Sequence, residues 1–320
     1  MAEQMDVTKS EPYYFKKLSP ELYSDLVYIS KSAFNIDPGV DYYFKKNKTE
    51  LFGPTNLGFI AYSSGGEPAA FYGVYSHPMI LDGIKILAAQ SGDTMTHKNH
   101  TGKGLFIQLA KMTFNLAKEM EVNFVFGFPN NNSYPGFVKK LDWVCPYKLN
   151  EYRIRISTLP LCKLAKKVSL LKPFYNIYKK IIFSLFSGNG ELFNSSVIEN
   201  GVGGVNRTRD FFNYKSFNGA FLIKIQNLSL WVKTDGFLFI GDIERNENAD
   251  YSEIINRIKR ICFWSGIDTV IFQVSPESFL DDQLSKFLEC EAAFYMGYLN
   301  LSEKYNPLEF KFVFADVDTF

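Results

Sequence analysis

Along the first 160 residues, short stretches of alternating hydrophobic and polar positions are separated by stretches of helical period. Residues 13–18 read as a strand, and Ser19 and Pro20 as the N-cap and first position of a helix over 21–34. Strands follow near 57–63, 68–76 and 84–96, the first two joined by the hairpin signal Ser63-Ser64-Gly65-Gly66. His77 precedes Pro78 in what reads as a turn, without a role. Leu105, Leu109, Met112 and Leu116 recur at helical spacing and predict a helix to about Met120. Residues 123–127 form a short buried strand, 129–133 lead into a short helix ending near Leu141, and Tyr152, Ile154 and Ile156 alternate in a closing strand.

The pattern then changes. Residues 159–187 mix Leu, Ile and Phe with Lys163, Lys166, Lys167, Lys172, Lys179 and Lys180, and contain no acidic residue. Pro173 splits the stretch into two helices. Its reading is a helical linker with a solvated lysine face, or a basic amphipathic surface in peripheral contact with an anionic membrane. The Gly-, Asn- and Ser-rich stretch 188–204 reads as a boundary. Beyond it, strands near 219–225, 229–234 and 237–242, a helix at 250–264, a strand at 269–274, a helix at 277–288 and strands near 293–301 and 309–316 repeat the earlier order. The series is a degenerate duplication. Its expected units are residues 1–158, a basic linker 159–205, and residues 206–320, in an α/β fold with a mixed sheet.

The two halves differ where strand meets helix. In the first, Asn99-His100-Thr101-Gly102-Lys103-Gly104 lies between the strand and the helix. Such a junction turns several backbone N–H groups toward one point at the positive end of a helix dipole, and glycine allows close approach of an anion. Lys98 and Lys103 add positive charge, so the loop reads as a pyrophosphate cradle. It is not a P-loop, because Leu105 follows Gly104, and not a dinucleotide fingerprint, because Ile107 stands at the third glycine. In the second half, Gly241-Asp242-Ile243-Glu244-Arg245-Asn246-Glu247 has no Gly-x-Gly and brings three acids, so no cofactor is expected there.

Bulk properties narrow the partners. The chain has 320 residues and a formal net charge of +1, so no global field points to nucleic acid. Aromatic residues make up 17%, with 31 Phe and 19 Tyr, enough for large cores or an aromatic cleft. Cys145, Cys162, Cys262 and Cys290 are scattered without metal-ligand spacing, so free thiols in a reducing cytoplasm and no metal are expected. The start, Met1 to Asp6, is acidic and polar and does not read as a secretory signal, and no apolar run is long enough to span a bilayer.

The spacing from Asn99 to Gly104 resembles the Q/R-x-x-G-x-G/A acyl-CoA loop of GCN5-related N-acetyltransferases (GNAT), with Asn99 in the Gln/Arg place. The stretch from Gly92 to Phe106 also resembles two-lobed members among sugar- and polysaccharide-modifying acyltransferases. The resemblance implies an acyltransferase with acetyl-CoA or another acyl-CoA as co-substrate. A GNAT-like donor lobe would be followed by a degenerate GNAT-like lobe that shapes the acceptor site. Thr101, Gly102, Lys103, Gly104 and Leu105 would bind pyrophosphate, and Thr94, Met95 and Thr96 would pair with the pantetheine arm. The acceptor implied is an amine, such as that of an amino sugar or its nucleotide-linked form in polysaccharide biosynthesis.

The family's acid is a tyrosine on a nearby helix, one turn before a Gly-Phe pair. Here Phe137 takes the tyrosine's place and Asp142 the glycine's. Tyr134, one turn earlier, is the alternative acid, and Asn131 and Ser133 are candidates to hold the pantetheine or its thiolate, with helix capping by Ser133 the competing role. Asp93 and His97 are the candidate bases. Asp316 and Asp318 are candidates to grip the acceptor from a cleft, or else belong to a solvated tail. Two other readings stay open: aminoacyl transfer by a FemABX-like enzyme, and a non-catalytic CoA-binding protein, which the loss of the tyrosine favours.

Overall fold

The computed structural model describes residues 13–320, so the reading of Met1 to Asp6 lies outside the described residues. In chain order the elements are β1 (Tyr13–Lys17), α1 (Tyr23–Phe34), α2 (Val40–Lys46), β2 (Leu57–Ser63), β3 (Pro68–Leu81), β4 (Ile84–Thr96), α3 (Leu105–Glu119), β5 (Phe124–Gly127), α4 (Tyr134–Lys140) and β6 (Val144–Arg155). Then come α5 (Leu161–Lys167), α6 (Lys172–Phe186), β7 (Gly188–Asn189), β8 (Gly204–Val205), α7 (Arg209–Lys215), β9 (Ala220–Ile225), β10 (Leu228–Thr234), β11 (Leu238–Ile243), α8 (Tyr251–Ser265), β12 (Thr269–Val274), α9 (Phe279–Ser285) and β13 (Cys290–Asn300).

All the strands join one mixed sheet in the order β1-β2-β3-β4-β5-β13-β6-β12-β11-β10-β9-β7, with β8 attached to β3. The order is symmetric about the central β13–β6 pair. Outward on one side run β5, β4, β3, β2 and β1, and on the other β12, β11, β10, β9 and β7. The parallel pairs β4–β5 and β11–β12 occupy matching places. The repeated order read from the sequence is thus visible in the topology, with one difference: the halves exchange their last strands. β13 pairs with β5 from Gly297↔Gly127 to Asn300↔Phe124, and β6 pairs with β12 from Thr269↔Arg155 to Val274↔Asn150. No cut near residue 158 leaves two closed sheets.

Two expectations of secondary structure fail for physical reasons, and two helices have no counterpart in the sequence reading. Residues 309–316 form no named strand; two short 3-10 turns, Pro307–Glu309 and Phe314–Asp316, flank a segment held by single bridges such as Val274↔Val313. Every residue from Phe312 to Val317 is buried, so the segment lies in the core instead of alternating across a sheet. Phe310 meets Phe124 at 5.1 Å between ring centroids, and Phe312 stacks on Phe126 at 4.8 Å. The C-terminal segment is therefore glued to the first half's β5. Second, His77 and Pro78 lie inside β3, not in a turn, because the strand runs on to Leu81 and pairs there with β4 and β8. His77 is buried, and burial pushes its pKa down to about 3. The helices without a counterpart are α2 and α7, each of seven residues and too short to show a period.

The helices pack where their apolar faces direct them. α3 buries Leu105, Leu109, Ala110, Phe114 and Ala117 against Tyr72, Val74 and Val125 of the sheet. α8 buries Ile254, Ile255, Ile258 and Ile261 on the second half, opened by Asp250 as N-cap and closed by Gly266 at φ 67°. All four cysteines are free.

Candidate functional site

β4 and β5 are paired only at Ala89↔Val125 and Gln90↔Phe126. Beyond Gln90 the strands diverge, and a cavity of 430 Å³ opens between them, lined by Ser91 to Thr94 on one side and Gly127 to Asn130 on the other. A β-bulge shapes its β4 wall. Phe71 faces Met95 and Gly73 faces Gly92, so Tyr72 alone opposes both Asp93 and Thr94. Asp93 sits in the bulge at φ 35°, a region that non-glycine residues rarely occupy. The bulge re-aims its side chain. The Tyr75 hydroxyl donates to Asp93 Oδ2 at 2.5 Å, and Lys46 Nζ approaches the same oxygen at 2.9 Å.

Lys46 is the last residue of α2 and is buried. Its ammonium also lies 3.5 Å from Asp318 Oδ2 and 4.8 Å from the Tyr75 ring centroid. Burial penalises its charge, but Asp93, Tyr42 and Asp318 around it hold its pKa well above the usual lysine value. Burial and the Asp93 carboxylate raise the Tyr75 phenol well above its own ordinary value. One ammonium thus ties a carboxylate of β4 to a carboxylate of the C-terminus, and both carboxylates line the cavity. Periodicity missed Lys46, and no residue pattern in Val40–Lys46 marks it.

The predicted acceptor pair separates. Asp318 lines the cavity, but Asp316 is fully buried. Asp316 Oδ2 accepts from the Val313 N–H at 2.8 Å, and Arg207 Nη2 stands 2.7 Å from Oδ1. The Gln90 side-chain amide donates to its carbonyl. Asp316 therefore fastens the tail to the core and presents no carboxylate to a cleft. The turn Phe314–Asp316 breaks the alternation that would have put both acids on one side.

A second cavity, of 560 Å³, lies at the junction of β4 and α3. Thr101, Gly102, Lys103, Gly104 and Leu105 line it, with Thr96 on one flank and Lys139 and Lys140 of α4 on the other. Gly102 and Gly104 both have φ 74°, and a Cβ at either would meet nothing within 4 Å. Glycine is needed there for backbone conformation, and the space beyond the backbone is open. The first N–H groups of the 15-residue helix α3 have no partners within the helix and face this end. Lys139 and Lys140 add cationic charge that the loop motif does not reveal. Asn99 is exposed, outside the lining, and its N–H donates to His97 Nδ1 at 3.3 Å.

Strand β4 links the cavities, since Thr94 lines one and Thr96 the other. Met95 between them points the opposite way into the core, where the Tyr43 hydroxyl reaches its sulfur at 3.7 Å. Asn130, Asn132 and Ser133 line the first cavity, whereas Asn131 is exposed outside its lining. Ser133 takes the N-cap position of α4 without a side-chain cap bond, and its hydroxyl donates to Asn130. Phe137 is buried and lines the cavity; Asp142 adopts φ 56°, the region a glycine favours. Tyr134 lies outside the lining and stacks on Tyr295 at 4.0 Å between centroids.

His97 is also outside the cavity lining. It stacks on Tyr28 at 5.3 Å, and its Nε2 is 3.8 Å from Glu67. His100 Nε2 is 3.3 Å from the other Glu67 oxygen, and its Nδ1 is 3.0 Å from the Tyr13 hydroxyl. The trio Glu67, His97 and His100 could surround an ion by distance alone. However, His97 Nδ1 accepts the Asn99 N–H, so in the neutral ring Nε2 carries the proton and points no lone pair at a metal. The cluster anchors the loop to β1 and α1.

In the second half, Asp242 is buried in β11. It accepts from the hydroxyls of Ser195 at 2.7 Å and Ser196 at 2.5 Å and pairs with Arg207 at 3.4 Å. It fastens the 188–204 segment to the sheet. The loop that follows has no glycine cradle, and Glu244 and Glu247 line the cavity beside it.

Lys215, at the end of α7, is buried, and its Nζ donates to the Val317 carbonyl at 2.9 Å. Burial pushes its pKa down to about 7, which Asp318 and Asp316 only partly offset. The unfolded chain holds this proton up to about pH 10.4. Between pH 7 and that value the unfolded state binds more protons, so stability rises with pH. Lys215→Met keeps the volume and removes the titration. Denaturant midpoints from pH 6 to 10 should show the wild type gaining stability relative to the variant, on the order of a few kcal/mol.

Residues 15–145 match the family described as acetyltransferase (GNAT) domain. The fold is similar to a GCN5-related N-acetyltransferase from Anabaena variabilis, at 14% identity and TM-score 0.54 over 91% of this chain and 73% of that one. It is also similar to one from Kribbella flavida, at 10% identity and TM-score 0.53 over 90% and 71%. A candidate acetyltransferase from Pyrococcus horikoshii aligns over 99% of this chain and 98% of its own, at 14% identity and TM-score 0.53. No curated protein matches the sequence. The match places an acetyltransferase (GNAT) domain in the N-terminal half of the chain, over residues 15–145. The chemistry of that domain is acyl transfer from an acyl-CoA to an amine.

Proposed function

We propose that the protein N-acylates an amino sugar, free or nucleotide-linked, with the donor held by the N-terminal half and the acceptor received between Asp93 and the C-terminal tail. The observation that carries this reading is the alignment of two cavities along one strand edge. The diphosphate of the donor fits the Thr101–Leu105 cradle with Lys139 and Lys140. The pantetheine arm runs beside Thr96 and Thr94, and the thioester enters the gap where β4 leaves β5. The acceptor amine loses a proton to Asp93, its nitrogen attacks the thioester carbonyl, and the carbon–sulfur bond breaks. Phe137 donates no proton, so the leaving thiolate is met by hydrogen bonds from Asn130, Asn132 or Ser133. Two carboxylates around one cavity suit a cationic, hydroxyl-rich acceptor. The diphosphate cradle disfavours transfer from a charged tRNA, which has no use for it.

Thiol release from acetyl-CoA and longer acyl-CoAs, measured with amino sugars, their nucleotide-linked forms and simple amines, tests the reading. Release that depends on an amino sugar supports it. CoA binding without release for any amine would favour the non-catalytic alternative.

A further inference from the structure

A helix on a globular surface needs one apolar face, and α6 has two. Its inner face, Ile182 and Phe183 with Tyr175 and Phe186, packs on the second half's core. A second stripe, Phe174, Ile177, Tyr178, Ile181 and Leu185, recurs at spacings of three and four and faces solvent. Phe174 and Leu185 are each 71% exposed. The stripe continues beyond the helix. Leu170, just before it, is 77% exposed, and Trp264 at the end of α8 is 50% exposed beside Phe263. The Tyr178 hydroxyl donates to the Trp264 carbonyl at 2.5 Å and holds the two helices together there. Among the described residues nothing covers this surface, and isolated apolar residues do not line up at helical spacing over three turns.

The segment that carries the stripe has charge of one sign. Residues 159–187 contain six lysines and no acid. Lys163 and Lys166 are paired with Asp268 and Asp235, and Lys179 donates to Thr234. Lys167, Lys172 and Lys180 are exposed and have no ion pair among the described residues. No described helix is long and apolar enough to cross a membrane.

We propose that the face formed by α5, α6 and the end of α8 docks on the surface of an anionic lipid bilayer. Apolar residues and Trp264 enter the boundary between headgroups and acyl chains, and the three unpaired lysines meet anionic headgroups. Charge decides between this occupant and a second copy of the chain. A symmetric dimer through α6 would set lysines against lysines with no acid on the segment to pair them.

The full chain would be sedimented with vesicles of phosphatidylcholine containing about one third phosphatidylserine, and with pure phosphatidylcholine vesicles, at low and high salt. The expected result is binding to the anionic vesicles at least about tenfold stronger than to the neutral ones, weakened by salt. The double variant Phe174→Ser/Leu185→Ser should lose about tenfold or more, and Lys172→Glu/Lys180→Glu likewise, with unchanged circular dichroism. Both pairs are exposed, so folding is not at stake. A chain that stays in the supernatant with anionic vesicles at low salt overturns the proposal. So does binding that neither double variant reduces, or a concentration-dependent dimer that Phe174→Ser/Leu185→Ser dissolves.

Discussion

Asp93→Asn is expected to lower kcat by roughly 10²–10⁴-fold while leaving the affinity for CoA nearly unchanged. The substitution keeps the shape and removes the charge that receives the amine's proton. It is also the change the backbone tolerates best. At φ 35° in a β-bulge most residues would add strain, but asparagine occupies positive φ more readily than other non-glycine residues. The same charge pairs with buried Lys46, so a fall in rate is assigned to chemistry when the variant keeps the wild-type melting temperature and circular dichroism. His97→Gln serves as the contrast. The His97 ring touches Tyr28 and Glu67, not the cavity, so activity at neutral pH should be largely kept. Asp318→Asn should act on the acceptor, raising its KM, because Asp318 reaches the cavity only from the tail. Steady-state kinetics on the three variants decides among them. Full activity in Asp93→Asn would move the base to Asp318 or to solvent.

Gly104→Glu should weaken CoA binding by at least about 100-fold, on the order of 3 kcal/mol. The open space beyond Gly104 means that the new side chain meets no protein atom at its Cβ and projects into the cavity, where its carboxylate opposes a diphosphate. The residue also sits at φ 74°, so any side chain costs conformational energy of about 1–2 kcal/mol. Gly104→Ala carries that cost without the charge, and the difference between the two variants in calorimetry with CoA isolates the electrostatic part. Unchanged affinity in a folded Gly104→Glu protein would remove the cradle from the account.

Local signals carried the glycine loop and the helix after it into view. A strand, two glycines that only φ near 74° requires, and a helix with an apolar face are all encoded by neighbouring residues, and Thr269–Val274 was legible to the residue for the same reason. What stayed hidden depends on distant parts of the chain. The exchange of β6 and β13 follows from pairing across more than 100 residues, which period-two alternation cannot specify. Lys46 reaches Asp93 from a seven-residue helix too short to show a period. Asp316 and Asp318 look equivalent in sequence, yet a single turn buries one against Arg207 and leaves the other at the cavity. The Asn130-Asn131-Asn132 run shows the same limit: all three are exposed, but the turn ahead of α4 sets only its first and third members along the cavity.

The most direct test of the central claim is a crystal structure of the protein with CoA. The expected complex has the diphosphate on the backbone of Thr101 to Leu105, flanked by Lys139 and Lys140, the pantetheine along Thr96 and Thr94, and the sulfur in the cavity that holds Asp93. CoA seated at the loop after β11, or with its sulfur remote from Asp93, would contradict it.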